Sequence, residues 1–187
     1  MKRTFILAAT FAGLFATPVL AHPGHTVAGD LATGLMHPFL GLDHILAMLA
    51  VGLLAVQSGG KAKFALPALF VGVMIVGGYA GLSALNVPFV EQGILASVIL
   101  LGVVIAAGGK LSLGISAPMV AAFALFHGAA HGMEMAVDTS AMAYGSGMIA
   151  ASTLLHFAGM GVGQFAPHLL RYAGAAVAVA GFGLAVA

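Results

Sequence analysis

Cysteine is absent from the 187 residues, and so is tryptophan. Without thiols the chain can build neither a disulfide framework nor a thiolate metal site. Charge is almost as scarce: 6% of residues are Asp, Glu, Lys or Arg, and the net charge is +1. A water-soluble domain devotes about a quarter of its residues to charge, so this composition excludes a solvated surface. Near-neutrality offers nothing for nucleic acid to recognise. No glycine-rich phosphate-binding sequence occurs, so a nucleotide is not expected as ligand or energy source. What is present is apolar, at 61% of the chain. The expected class is an all-α integral membrane protein.

The first residues read as a processing signal. MKR is the positive start, TFILAATFAGLFA the apolar stretch, and Val19-Leu20-Ala21 a small-residue cleavage site. A signal peptide over 1–21 leaves a mature chain, 22–187, that starts outside the cytoplasm. Apolar runs bounded by the few charges and by Gly/Pro clusters predict six spans, at about 31–56, 64–85, 92–108, 113–137, 142–165 and 168–187. Each must be helical, because backbone groups in lipid have to bond within their own segment. Alternation from the cleaved start puts Lys61, Lys63, Lys110 and Arg171 at cytoplasmic ends, and Asp30, Glu91 and Asp138 at outer ends. Every basic residue of the mature chain then falls inside, as the positive-inside rule requires. Both mature termini are expected on the periplasmic side of a bacterial inner membrane. Gly77/Gly81, Gly128/Gly132 and Gly159/Gly163 form small-xxx-small pairs suited to close helix packing.

Against that background the intramembrane polar residues stand out. The first span carries HPFLGLDH, residues 37–44, with His37, Asp43 and His44. The fourth carries FHGAAHGME, with His127, His131 and Glu134, and the fifth carries His156. Ionisable groups inside spans cost a few kcal/mol each and mark pathways or sites. His127, His131 and Glu134 follow i, i+4, i+7 spacing, one helix face. His37, Gly41 and His44 have the same spacing, with Gly41 expected to leave room between two imidazoles. Asp43 is placed to ligate or to orient an imidazole. Pro38 frees a carbonyl one turn earlier and suits the broken entrance helices of transporters. Counting 1.5 Å per residue from the outer ends puts Glu134 roughly 5 Å deep and Asp43, His44 and His156 roughly 18–21 Å deep. These seven residues form a ladder of metal ligands from surface to midplane. The two clusters fall in the first and fourth spans, which run in opposite directions. That arrangement predicts a three-plus-three inverted repeat with the two helices face to face.

Other readings compete. His127, His131 and His156 are candidates for the zinc site of an intramembrane hydrolase, but HExxH is missing and the first-span cluster would go unused. A bis-histidine haem protein and a serine protease built on Gly145-Ser146-Gly147 have weaker signals. His22 and His25, in HPGH, and Glu91 are candidates for metal capture at the outer face. His168, beside Pro167, reads as interfacial.

HPFLGLDH matches the pattern HPxxGxDH in full, and FHGAAHGME is similar to a second histidine motif. With six spans after a signal peptide, the chain resembles the HupE/UreJ family of nickel permeases. The resemblance implies secondary transport of Ni²⁺, or Co²⁺, supplying hydrogenase or urease maturation. It implies no enzymatic activity and no cofactor; the metal is cargo. Partners are then the divalent cation and the bilayer, with a homo-oligomer allowed. The residues agree with this: imidazole and carboxylate donors suit Ni²⁺, Co²⁺ or Zn²⁺ and fit Cu(I) poorly.

Overall fold

The computed structural model describes residues 26–187 except Ala84 and Asn86. The expected signal peptide (1–21), His22 and His25 lie outside the described residues. Thr26 starts α1 (Val27–Met36) by accepting a hydrogen bond from Gly29 N at 3.1 Å, which satisfies one of the free N–H groups of the first turn. The first span is not the single helix expected over 31–56. A short 3₁₀ turn, His37–Phe39, follows α1, and the chain restarts as α2 (Leu42–Ser58) after a bend of 79°. The cause is local. Pro38 has no N–H to continue the ladder, and Gly41 is extended (φ −107°, ψ 121°) as the residue before α2.

The remaining expected spans are helices within a few residues of their predicted limits. They are α3 (Ala62–Leu82), α4 (Val90–Ala107), α5 (Leu113–Glu134), α6 (Ala141–Phe165) and α7 (Leu170–Val186), the last entered through a 3₁₀ turn at Pro167–Leu169. No strand occurs among the described residues. Among the described residues five helices are long and apolar enough to cross a membrane, or six if the bent α1–α2 pair counts as one span. Large apolar side chains such as Phe64, Val76, Phe157 and Phe182 point outward, as a lipid-facing surface requires.

The basic ends of the helices are tied together. Gln57 Nε2 donates to Gly109 O at 2.8 Å, Lys63 Nζ to Gln164 Oε1 at 2.7 Å, and Arg171 Nε to Ala106 O at 3.0 Å. At the opposite, acidic end, Ser140 N donates to the buried Asp30 carboxylate at 2.8 Å, joining α1 to the start of α6.

Three helix pairs carry most of the packing: α3 with α5, α4 with α7, and the bent span with α6. Glycine makes them possible. A methyl group on Gly77 would overlap the carbonyl of Leu125, and one on Gly128 the carbonyl of Met74. Between α2 and α6, a methyl on Gly159 would overlap the carbonyl of Leu49, and one on Gly52 that of His156. Such contacts let backbones touch where lipid gives no hydrophobic drive for association. Two of these interfaces share one register. Moving Leu49 and Gly52 forward by 76 positions gives Leu125 and Gly128; moving Met74, Gly77 and Gly78 forward by 82 gives His156, Gly159 and Met160. The Gly77 and Gly128 contacts have counterparts at Gly159 and Gly52, whereas Gly81 on Ala129 and Gly132 on Gly78 have none, because the matching positions are Gly163, which meets the Val56 side chain, and Val56 itself. In the third pair, Gly102 meets Ala178, itself 76 positions later.

These contacts predict a matched effect. Gly52→Val and Gly128→Val should each destabilise the protein by at least about 1–3 kcal/mol, the usual cost of core overpacking, and so lower the thermal midpoint in detergent. Gly72→Ala, with no neighbouring heavy atom within 4 Å, should leave it unchanged. Equal midpoints for all three variants would contradict the backbone contacts.

Candidate metal site

The break in the first span places its two histidines on different segments. His37 begins the 3₁₀ turn and His44 lies in the first turn of α2. They therefore do not share one helix face, and the i, i+4, i+7 reading of His37, Gly41 and His44 is corrected. Gly41 is also not an empty slot for an ion. A Cβ there would sit 2.7 Å from Asp43 Oδ1 and 2.9 Å from His44 Nδ1, so the space belongs to that pair. Asp43 Oδ1 accepts from the His44 backbone N–H at 2.8 Å and lies 2.9 Å from His44 Nδ1. The carboxylate thus satisfies a free first-turn donor, sits at the positive end of the helix dipole, and orients the imidazole.

The last turns of α5 supply the facing wall. His131 is the hub: its ring centroid lies 5.0 Å from that of His37 and 4.5 Å from that of His44. His37 Nε2 is 2.9 Å from Glu134 Oε2, and His131 Nδ1 is 4.0 Å from the same oxygen. One ligand atom each from His37, His131 and Glu134 lies within 4.8 Å of the others, a spacing that could hold a metal ion. Glu134 is half-exposed while His131 is buried, so the group sits where the bundle opens.

Deeper in, His44 meets His127 at 5.1 Å between centroids. His127 Nδ1 lies 2.9 Å from Phe123 O, so that nitrogen carries the proton and donates. Asp43 fixes the same tautomer on His44. The Nε2 atoms of both rings are buried and bond to no described residue. This is the arrangement of ligand imidazoles, with one nitrogen held by an outer partner and the other carrying a free lone pair. Phe70 packs edge-on against both His127 (5.6 Å) and His156 (5.1 Å). His156 is buried, and neither of its ring nitrogens bonds to a described residue. Below lies a solid apolar core that includes Met48, Val51, Leu54, Leu66 and Val120.

The expected face-to-face meeting of the first and fourth spans takes a modified form. The imidazoles of α2 and α5 touch, but their backbones barely approach, and each helix packs chiefly on another partner. Glu91 stands exposed in the first turn of α4 and joins none of these contacts. His168 is exposed. Sequence reasoning missed Asp30, Phe70 and Tyr144. Asp30 was visible as a charge, but its partner is a backbone N–H 110 residues away, which leaves no trace in composition. Phe70 and Tyr144, whose ring lies 5.6 Å from that of His37, look like ordinary aromatics in apolar runs.

Fold and site together define a multi-pass helical membrane protein with an imidazole and carboxylate cluster set into a broken span. The family model described as HupE / UreJ protein matches residues 9–184. The chain is 43% identical over 171 residues to Protein HupE of Rhizobium leguminosarum bv. viciae, covering 89% of each chain. It belongs to the HupE/UreJ family. No solved structure matches it.

The packing at Gly41 yields a prediction. Gly41→Ala must displace either Asp43 or His44, so divalent-cation affinity should fall by about 10–100-fold, as for other outer-partner losses at metal sites. Gly161→Ala, in open space, is the control. Titration calorimetry with Ni²⁺ on the purified proteins measures both; equal affinities would refute the assigned role of the Asp43–His44 pair.

Proposed function

We propose that the chain is a secondary permease that takes up Ni²⁺, and Co²⁺, across the bacterial cytoplasmic membrane, supplying hydrogenase or urease maturation. One observation carries this reading most: His37, His131 and Glu134 converge to ligand distance at a break in a membrane-crossing helix. Family membership supports the same assignment. The ion first meets His37, His131 and Glu134, then passes to the free Nε2 atoms of His44 and His127, with His156 beyond Phe70. Asp43 acts mainly by holding His44. The donor set of nitrogen and oxygen without thiolate suits Ni²⁺ or Co²⁺.

The acidic end is the outer face on this reading, and the basic end is cytoplasmic. A +2 ion moving inward then gains about 4.6 kcal/mol per 100 mV, which drives uptake without a nucleotide. The repeated register of the α3–α5 and α2–α6 interfaces supports a three-plus-three inverted repeat. In it the first and fourth, second and fifth, and third and sixth spans exchange places. A zinc hydrolase using His127, His131 and His156 is not favoured: among the described residues they form no three-ligand group.

Two experiments test the reading. In cells expressing the protein, radioactive nickel uptake should fall at least about tenfold for His37→Ala, His131→Ala or Glu134→Ala, with protein still in the membrane. Near-normal uptake by the His131→Ala, Glu134→Ala double variant would sink the proposed path. The absence of native cysteine makes topology directly readable. Asp138→Cys should react with an impermeant thiol reagent on intact cells, and Gly60→Cys only after the membrane is opened. The reverse pattern would overturn the orientation.

A further inference from the structure

Tyr144 occupies the first turn of α6 and is held there from two sides. A methyl on Gly34 would overlap its carbonyl, so α1 presses directly on its backbone. Ser140, which precedes the helix, is anchored by Asp30 and caps the turn by accepting from Ala143 N at 3.4 Å. The ring packs edge-on against His37 at 5.6 Å. The residue is only 6% exposed, yet its hydroxyl is buried and bonds to no described residue. A buried phenol oxygen ordinarily has a partner, because leaving it without one costs free energy. The side chain also lines a cavity of about 540 Å³ between α3, α5 and α6, and His131 lines the same cavity. The rest of that lining is almost wholly apolar, with Met74, Met142 and Met148 among it. Tyr144 thus brings an unpartnered hydroxyl beside His37 and forms part of the wall of a cavity that His131 also lines.

We propose that the Tyr144 hydroxyl accepts a hydrogen bond from water carried by the cation at His37, His131 and Glu134, and thereby favours ions that keep water there. The inference rests on the metal reading above. Three protein ligands leave an ion of high coordination number holding several waters, whereas a tetrahedral ion such as Zn²⁺ keeps one. Water on a divalent cation is a strong hydrogen-bond donor because the metal withdraws its electrons. An acceptor in an otherwise apolar wall gives that water a defined place. The hydroxyl is the sole group removed by Tyr144→Phe, and the ring contact with His37 survives the change.

The test uses the full chain in lipid nanodiscs, with Ni²⁺ and Zn²⁺ titrated separately by calorimetry and the metal-free melting temperature recorded. For Tyr144→Phe, the Ni²⁺ dissociation constant should rise about tenfold, the usual worth of one buried hydrogen bond. The Zn²⁺ constant should change by less than about threefold. The metal-free protein should melt at the same temperature or higher, since a buried hydroxyl without a partner is gone. An unchanged Ni²⁺ constant overturns the proposal. So does a lower melting temperature with equal weakening for both ions, which would mark the hydroxyl as structural. If the wild-type protein binds neither ion, the metal reading itself fails; if it binds both and the variant matches it, only this inference fails.

Discussion

Seven residues of unbroken helix separate their ends by about 10 Å along the axis, yet His37 and His44 both rest against His131. The break at Pro38–Gly41 is what permits it, and the site depends on that break. The 79° turn lets two segments reach α5 with side chains, His37 from the 3₁₀ turn and His44 from the start of α2. It also exposes first-turn N–H groups of α2 inside the bundle. Lipid offers them no partner, and the Asp43 carboxylate supplies one at His44 N. The same oxygen then orients the His44 ring. One side chain therefore both satisfies the broken helix end and orients the His44 imidazole.

The glycine contacts are the other half of the design. Because α5 is pressed onto α3 and α2 onto α6, backbone to backbone, α2 and α5 stay apart. The gap between them is what the imidazoles fill. Larger residues at Gly128 or Gly52 would change the positions of His127 and His156, since each glycine packs at or near the turn that carries a histidine. Packing and chemistry are linked through the helix backbone.

Much of this was legible in the sequence. Lipid allows only helices and punishes isolated polar groups, so span count, span limits and the histidine clusters stood out in the apolar background. The i, i+4, i+7 spacing of His127, His131 and Glu134 held because α5 is continuous around them. The same spacing failed for His37, Gly41 and His44, since spacing presumes an unbroken helix and Pro38 with Gly41 ends it. Pairing of helices was less visible. Gly77/Gly81 and Gly128/Gly132 announced close packing but not that they pack on each other. The 76- and 82-residue register shared by two interfaces could not be seen in side chains, because Gly128 and Gly52 agree while most of their neighbours do not.

That last disagreement has a physical meaning. A shift of 76 carries His127, His131 and Glu134 back onto Val51, Ala55 and Ser58. The two interfaces share the glycine contacts at Gly52 and Gly128, while the chemistry of the residues around them differs. Toward the acidic end these positions hold imidazoles and a carboxylate; toward the basic end they are aliphatic and buried, except for the Ser58 hydroxyl. On the transport reading, an ion moving toward the basic end leaves the buried imidazoles behind and meets the exposed His168 among the Lys61, Lys63, Lys110 and Arg171 charges, which weaken its binding there. A symmetric scaffold with ligands at one end would give a path that loads readily from one side and releases on the other. The two ends then differ in the side chains they carry, while the membrane potential supplies the driving force for net inward movement.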